Sequence, residues 1–303
     1  MGNHTIQHKN PSGRLLISIL LNGLITFVEI IGGIFSNSLA LISDAIHNLS
    51  DTLALILAWI ANKVGLREPD AKRTFGYKRL EILSAFINAS VLTAISLYLI
   101  YEAVLRFLHP EPIKSGLMLL IAVIGLFANL ISMIFLHRDS KKSLNIKAAY
   151  IHLLGDTLSS FAVIGGAFLI YFTQTVWIDP LLTLIISIVI IVQAYKILHE
   201  SIDILMQSTP QNLNLEEIKT HLEKHPMIRN IHHVHCSRLQ DHEVLFEAHI
   251  ETSKDLLLSE SRGLVAEIDE VLREKFHITH TTLQVEFEVC EDKAMIKQPK
   301  GEH

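Results

Sequence analysis

The chain has 303 residues, half of them hydrophobic, with a formal net charge of -5 and a positive mean hydropathy. A soluble domain of this length rarely carries so much apolar sequence in long runs, so the composition excludes an ordinary soluble domain. No basic stripe argues for nucleic acid. With two cysteines, Cys236 and Cys290, the chain supports neither a disulfide framework nor a cysteine-ligated zinc finger.

Residues 1–14 read as a polar N-terminal tail, which contains His4 and His8. Six apolar runs follow, near Leu15–Phe35, Leu39–Ala61, Leu80–Leu105, Leu117–Leu136, Ala148–Phe172 and Ile178–Leu198. Each is close to the roughly 20 residues a helix needs to cross a bilayer. The first has no small-residue cleavage site behind it and is read as a retained span rather than a signal peptide.

The connections set the orientation. Lys9 and Arg14 precede the first span. Lys63, Arg67, Lys72, Arg73, Lys78 and Arg79 lie between the second and third, and Arg138, Lys141, Lys142 and Lys147 between the fourth and fifth. The alternate links, Ser36-Asn37-Ser38, His109 to Ser115 and Thr173 to Val176, carry a single lysine among them. The positive-inside rule therefore places both termini in the cytoplasm. The basic link from Lys63 to Arg79 is sufficiently explained as a topology determinant. A charge interlock with acidic residues of the cytoplasmic part or at a subunit interface is the other reading.

After Glu200 the composition turns polar. Leu213 to His225 predicts an amphipathic helix with Asn214 as N-cap, and Leu258 to Phe276 a second one. Ile231 to Leu239 and Val244 to Glu251 predict strands joined at Gln240-Asp241-His242, and Thr281 to Val289 alternates strictly as a third. The order αββαβ implies a small layer of helices on one face of a sheet. The expected organisation is thus a membrane domain at 15–200, a cytoplasmic domain at 201–292, and a polar, disordered tail at 293–303.

The chemistry concentrates in two stretches. Ser43 to Asp51 carries His47-x-x-x-Asp51 inside the second apolar run, and the fifth carries His152-x-x-x-Asp156. Residues four apart share a helix face. Two such helices facing each other would present two imidazoles and two carboxylates to one point, a set suited to tetrahedral zinc. An acidic group at the centre of a membrane helix costs on the order of 2.5–3.5 kcal/mol, so its default reading is functional. A lone intramembrane histidine is more often a packing or water-cavity residue. Asp44, one turn before His47, is either a partner to the ligands or a helix-packing group. Glu29 and Asn88 are expected to line the pore or to make interhelical hydrogen bonds. Asp179 before Pro180 reads as an N-terminal helix signal.

Longer motifs surround these residues: Ser36-Asn37-Ser38-Leu39-Ala40-Leu41-Ile42-Ser43-Asp44, Arg73-Thr74-Phe75-Gly76-Tyr77-Lys78-Arg79-Leu80-Glu81-Ile82, Trp177-Ile178-Asp179-Pro180, and His280-Thr281-Thr282-Leu283-Gln284-Val285-Glu286. With them the chain resembles the cation diffusion facilitator family of zinc and divalent-metal transporters, from about Leu15 to Glu288. The resemblance implies an α-helical membrane protein with six transmembrane helices and a small α+β, ferredoxin-like cytoplasmic domain. It also implies a homodimer in the lipid bilayer that exports divalent metal ions from the cytosol in exchange for protons. The transport ligands would be His47, Asp51, His152 and Asp156, with histidine at the first position resembling the zinc-preferring members. The short link with only His137 between the fourth and fifth spans resembles bacterial members and implies the bacterial inner membrane. By the same motif match, His232, His249, His280 and Glu286 resemble a regulatory zinc site in the cytoplasmic domain, and zinc is both cargo and regulatory ligand. The alternative is exposed sheet histidines with no metal. Strand alternation puts His233 and His235 on one face and His232 on the other. Ser237 stands where the family commonly has an aromatic residue.

Protonation of imidazole and carboxylate competes with metal. An unperturbed imidazole titrates near 6.5, close to cellular pH. Such a site can therefore hold zinc on one side of a membrane and protons on the other. An intramembrane metalloprotease is disfavoured, because no His-Glu-x-x-His occurs and four protein ligands would close the metal's coordination. A membrane-anchored zinc sensor has no use for ionisable residues at membrane depth. A passive channel would show no dependence on a pH gradient.

Overall fold

The computed structural model describes residues 13–65, 67–140, 144–240, 243–289 and 293–296. His4, His8, Lys9, Lys141, Lys142, Asp241, His242, Cys290 and the end of the tail lie outside the described residues, as do the side chains of Arg14, His137, Arg138, Lys147 and His152. Six long helices form in order: α1 (Gly13–Ser36), α2 (Leu39–Gly65), α3 (Arg79–Leu108), α4 (Ser115–Ser140), α5 (Leu144–Thr173) and α6 (Ile178–Leu205). Five of them carry a described stretch long and apolar enough to span a membrane, and α1 contributes the shorter apolar stretch Asn22–Ser36. At 1.5 Å per residue the 24 residues of α1 still reach about 36 Å.

The contacts divide the chain into two units, Met1–Trp59 with Ser84–Leu198, and Ile60–Leu83 with His199–His303. The first is built inside out relative to a soluble bundle. Phe27, Ile34, Phe127, Phe168 and Ile188 point outward, whereas Ser38, Ser43, Ser96, Asn129, Thr183 and Ser187 are buried. Lipid solvates apolar side chains, so helix association relies on close packing and polar contacts between helices. Ala40, Ala89, Ala122, Ala167 and Ala194 keep the centre small, around Leu41, Met118 and Ile190. At Gly33 the backbone of α1 approaches α2 so closely that a Cβ would lie 3.1 Å from the Ile42 nitrogen. Interhelical hydrogen bonds join Asn22 to Thr52 Oγ1 at 3.2 Å, Asn88 to Ser50 Oγ at 3.1 Å, and Asn129 to Ser160 Oγ at 3.3 Å.

The α1–α2 turn is fixed from two sides. Asn37 takes a left-handed φ of 57°, which asparagine tolerates, and its carbonyl and side-chain oxygens accept from Arg106 at 2.6 and 2.8 Å. Asp179, in the first turn of α6, accepts hydrogen bonds from the Ser38 hydroxyl and from the N–H groups of Leu39 (2.9 Å) and Ala40 (3.2 Å). The residue expected to mark its own helix start therefore caps a different helix, α2, whose free N–H groups attract an anion.

The second unit contains α7 (Leu215–Leu222), β1 (Ile228–Gln240), β2 (Glu243–Thr252), α8 (Leu258–Phe276) and β3 (His280–Glu286). Asn214 caps α7 as its position predicts, accepting from the N–H groups of Glu216 and Glu217. The sheet order is β1-β2-β3, with β2 antiparallel to β1 and parallel to β3 across α8. Ile231, Phe246, Ile250, Leu264, Ile268 and Leu272 form the core between sheet and helices. Lys78 pairs with Glu243, so one cation of the basic link does meet an acidic residue of β2.

Two features differ from the expected strands. β1 bulges between His232 and His235, with His233 at a φ of 50°. The N–H groups of His233 and Val234 turn to the carbonyls of Ala294 and Met295, at 3.2 and 2.7 Å. The start of the segment expected to be disordered is therefore laid along β1, and Met295 packs against the core.

Candidate metal-binding sites

The first site lies where α2 and α5 meet. His47 and Asp51, one turn apart on α2, approach Asp156 on α5. His47 Nε2 lies 3.6 Å from Asp51 Oδ2 and 3.7 Å from Asp156 Oδ1. One donor atom from each of the three falls within 4.8 Å of the others, close enough to share an ion. Asp156 is 2% exposed, His47 14% and Asp51 25%, so the cluster opens on the Asp51 side. His152 stands four residues before Asp156 on α5, one turn along the same helix, and its side chain lies outside the described residues.

Polar contacts brace α2 around this cluster. Ser159 on α5 donates to the buried Asp44, and Ser43 meets Ser187 on α6 at 3.4 Å. Asn48 donates to the buried Glu29 on α1 at 3.1 Å. A Cβ at Gly125 on α4 would collide with the same Glu29 carboxylate. Glu29 and Asn88 thus make the interhelical bonds foreseen for them.

The second cluster lies on the sheet. His232 pairs in register with His249, and Gln284 sits beside His249 on β3, which puts Glu286 two residues further on the same face. Glu286 Oε1 lies 2.8 Å from His232 Nε2, and its Oε2 lies 3.2 Å from His249 Nδ1. The bulge carries His233 into this group, with its ring centroid 4.9 Å from those of both His232 and His249. Donor atoms of the three histidines lie within 4.8 Å of one another. Alternation had placed His233 on the opposite face. Only the left-handed backbone at that residue reverses this, and nothing in the sequence marks it. His280 is not brought to the cluster. It is exposed at the far end of β3, edge-on to Phe75 at 6.3 Å, and six residues of strand separate it from Glu286 by about 20 Å.

The donor sets suit zinc: imidazole with carboxylate in both places, and no thiolate in either. Cys236 is buried in β1, and burial pushes its thiol up to about 11.

A carboxylate on each of two spans, converging on an imidazole, together with a separate αββαβ domain, fits an integral multi-pass membrane protein with a candidate cation site between its spans. Residues 15–206 match the cation efflux transmembrane domain and residues 210–288 the cation efflux protein cytoplasmic domain. The chain belongs to the cation efflux family. It is 36% identical to the zinc transporter ZitB of Pectobacterium atrosepticum over 96% of this chain and 90% of that protein. It is 37% identical to the metal cation efflux system protein CzcD of Cupriavidus metallidurans over 94% and 90%. Against the cadmium, cobalt and zinc/H(+)-K(+) antiporter of Bacillus subtilis the identity is 38%, over 100% of this chain and 97% of that one.

Proposed function

We propose that this chain is a secondary transporter, a carrier and not an enzyme, that exports Zn²⁺ and similar divalent cations from the cytosol in exchange for protons. The observation that carries this reading is the convergence of His47, Asp51 and Asp156 from α2 and α5 at membrane depth. His152, one turn from Asp156, completes a tetrahedral set in this proposal. Two carboxylates offset the ion's double charge and lower the cost of holding it between spans. The protons that return bind the same groups, because each ligand that releases metal becomes a base.

With both termini cytoplasmic, α2 runs inward from Leu39, and Asp51 lies on the cytosolic side of His47. The partial exposure of Asp51 then supports a form that loads from the cytosol. The Ser159–Asp44 and Ser43–Ser187 contacts close the opposite side. In the bacterial plasma membrane the protein works as a homodimer. His232, His233, His249 and Glu286 form the proposed regulatory zinc site, which tunes transport to cytosolic zinc.

The test is metal flux in proteoliposomes under an imposed pH gradient, with Zn²⁺, Cd²⁺, Co²⁺ and Ni²⁺ in turn. Asp51→Ala and Asp156→Ala are each expected to lower zinc flux at least about tenfold, the low end of what even outer groups at metal sites contribute. Undiminished flux in either variant rejects the assignment, and flux indifferent to the pH gradient rejects the exchange.

A further inference from the structure

The second unit has a solvent-open cavity of about 770 Å³ between the α2–α3 loop and the sheet. Lys72, Arg73, Lys78 and Arg79 line it from the loop, with His235 of β1 and Glu247 of β2 opposite. Four cationic side chains thus converge on a space that holds one carboxylate.

Their partners offset only part of this charge, although the Asp70 carboxylate lies close enough to Arg73 for the two charges to interact. Lys78 reaches Glu243. Arg73 lies over the Tyr77 ring, 4.8 Å from its centroid, and donates to the phenol oxygen at 3.3 Å. Lys72 and Arg79 have no acidic partner among the described residues, and Arg79 Nε is shielded from solvent without an acceptor. A buried donor left unmade is costly, and like charges held together repel.

The loop is ordered in this arrangement by its own contacts. The Asp70 carboxylate accepts from the N–H groups of Lys72 (2.7 Å) and Arg73 (2.9 Å) and from the Tyr77 hydroxyl (3.0 Å). Gly76 takes a left-handed φ of 75°, which turns the chain toward α3. Arg79 opens α3, so the positive end of that helix lies at the cavity rim. A topology determinant needs only positive charge on the cytoplasmic side. It does not need four cations drawn onto one cavity by a preordered loop.

We infer that this cavity binds a phosphate-bearing anion, supplied either by an anionic phospholipid headgroup or by free phosphate. Guanidinium and ammonium groups together match a phosphate's several acceptor oxygens. A loop between two span ends is also within reach of headgroups, where basic clusters attract anionic lipid.

The test uses the full-length protein in a neutral detergent with a metal chelator present. Thermal unfolding and native mass spectrometry follow titration with inorganic phosphate in one arm and short-chain phosphatidylglycerol in the other. Sodium chloride at matched ionic strength and dioctanoylglycerol, which lacks the phosphate, are the controls. A concentration-dependent rise in Tm beyond the controls is expected. A rise with phosphate assigns the soluble anion, and a rise with phosphatidylglycerol alone assigns the headgroup. Lys72→Gln with Arg79→Gln is expected to weaken binding at least about tenfold, since each removes a charge-assisted contact. Lys72 is exposed, so Lys72→Gln alone, expected to weaken binding severalfold, preserves the test if the change at Arg79 loosens α3. No rise over the controls in either arm overturns the inference, as does wild-type affinity in a folded variant.

Discussion

Glu251 and Lys293 illustrate how single side chains hold the C-terminal segment in place. The Lys293 ammonium donates to Glu251 Oε1 at 2.8 Å, and Arg229 lies 3.5 Å from the same oxygen. The Lys293 hydrogen bond, joined by the Arg229 charge, holds the Glu251 carboxyl below the usual carboxylate range. A carboxyl whose folded pKa lies below its unfolded value, about 4.3, stabilises the fold above that pH. The contribution is lost as pH falls through the folded value. Lys293→Ala should therefore lower Tm at pH 7, with the gap to wild type closing as the pH drops below about 4. Thermal unfolding across that range checks the sign, and a gap that widens in acid contradicts it.

At the scale of elements, α2 is the helix that matters most, because it carries both His47 and Asp51 and is anchored by residues outside itself. Asp179 of α6 satisfies three donors at its start, and Arg106 of α3 fixes the turn that precedes it. Asp179→Ala should cost about 1–2 kcal/mol, the range for losing a helix cap with its dipole interaction. The expected result is a lower Tm together with reduced zinc flux, both partly restored in Asp179→Asn. A variant with wild-type stability would show that α2 keeps its position without this cap.

For the molecule as a whole, the proposed cytoplasmic zinc site predicts linkage. A ligand that binds only the folded state at about 100 times its Kd stabilises it by about 2.7 kcal/mol. Zinc should raise the Tm of the C-terminal unit, a chelator should reverse this, and His249→Ala or Glu286→Gln should abolish it. His280→Ala should leave the zinc-induced shift intact, since His280 stands at the other end of β3. A shift that survives in His249→Ala, or disappears in His280→Ala, would require a different ligand set.

The membrane helices, the αββαβ order, and the placement of His47, Asp51 and Asp156 on facing spans were all legible from local pattern. Apolar run length, loop charge and the four-residue helical repeat are properties of neighbouring residues, and physics acts on them locally. The cytoplasmic cluster was only half legible. Register pairing put His232 beside His249, but His233 joins them through a bulge that no residue type announces. His280 could not join Glu286, because a strand keeps residues six apart far from each other. Likewise Asp179 was recognisable as a helix-start residue, but not as the cap of α2. Sequence alone marked which segments are long and apolar enough to enter a membrane and which of them carry ionisable residues, because burial cost and periodicity are written along the chain. Tertiary structure alone decided which distant groups meet: the cap on α2, the histidine bulge, and the cationic loop against the sheet. Those contacts depend on backbone turns and helix packing that join residues more than 100 positions apart in the case of Asp179 and Leu39.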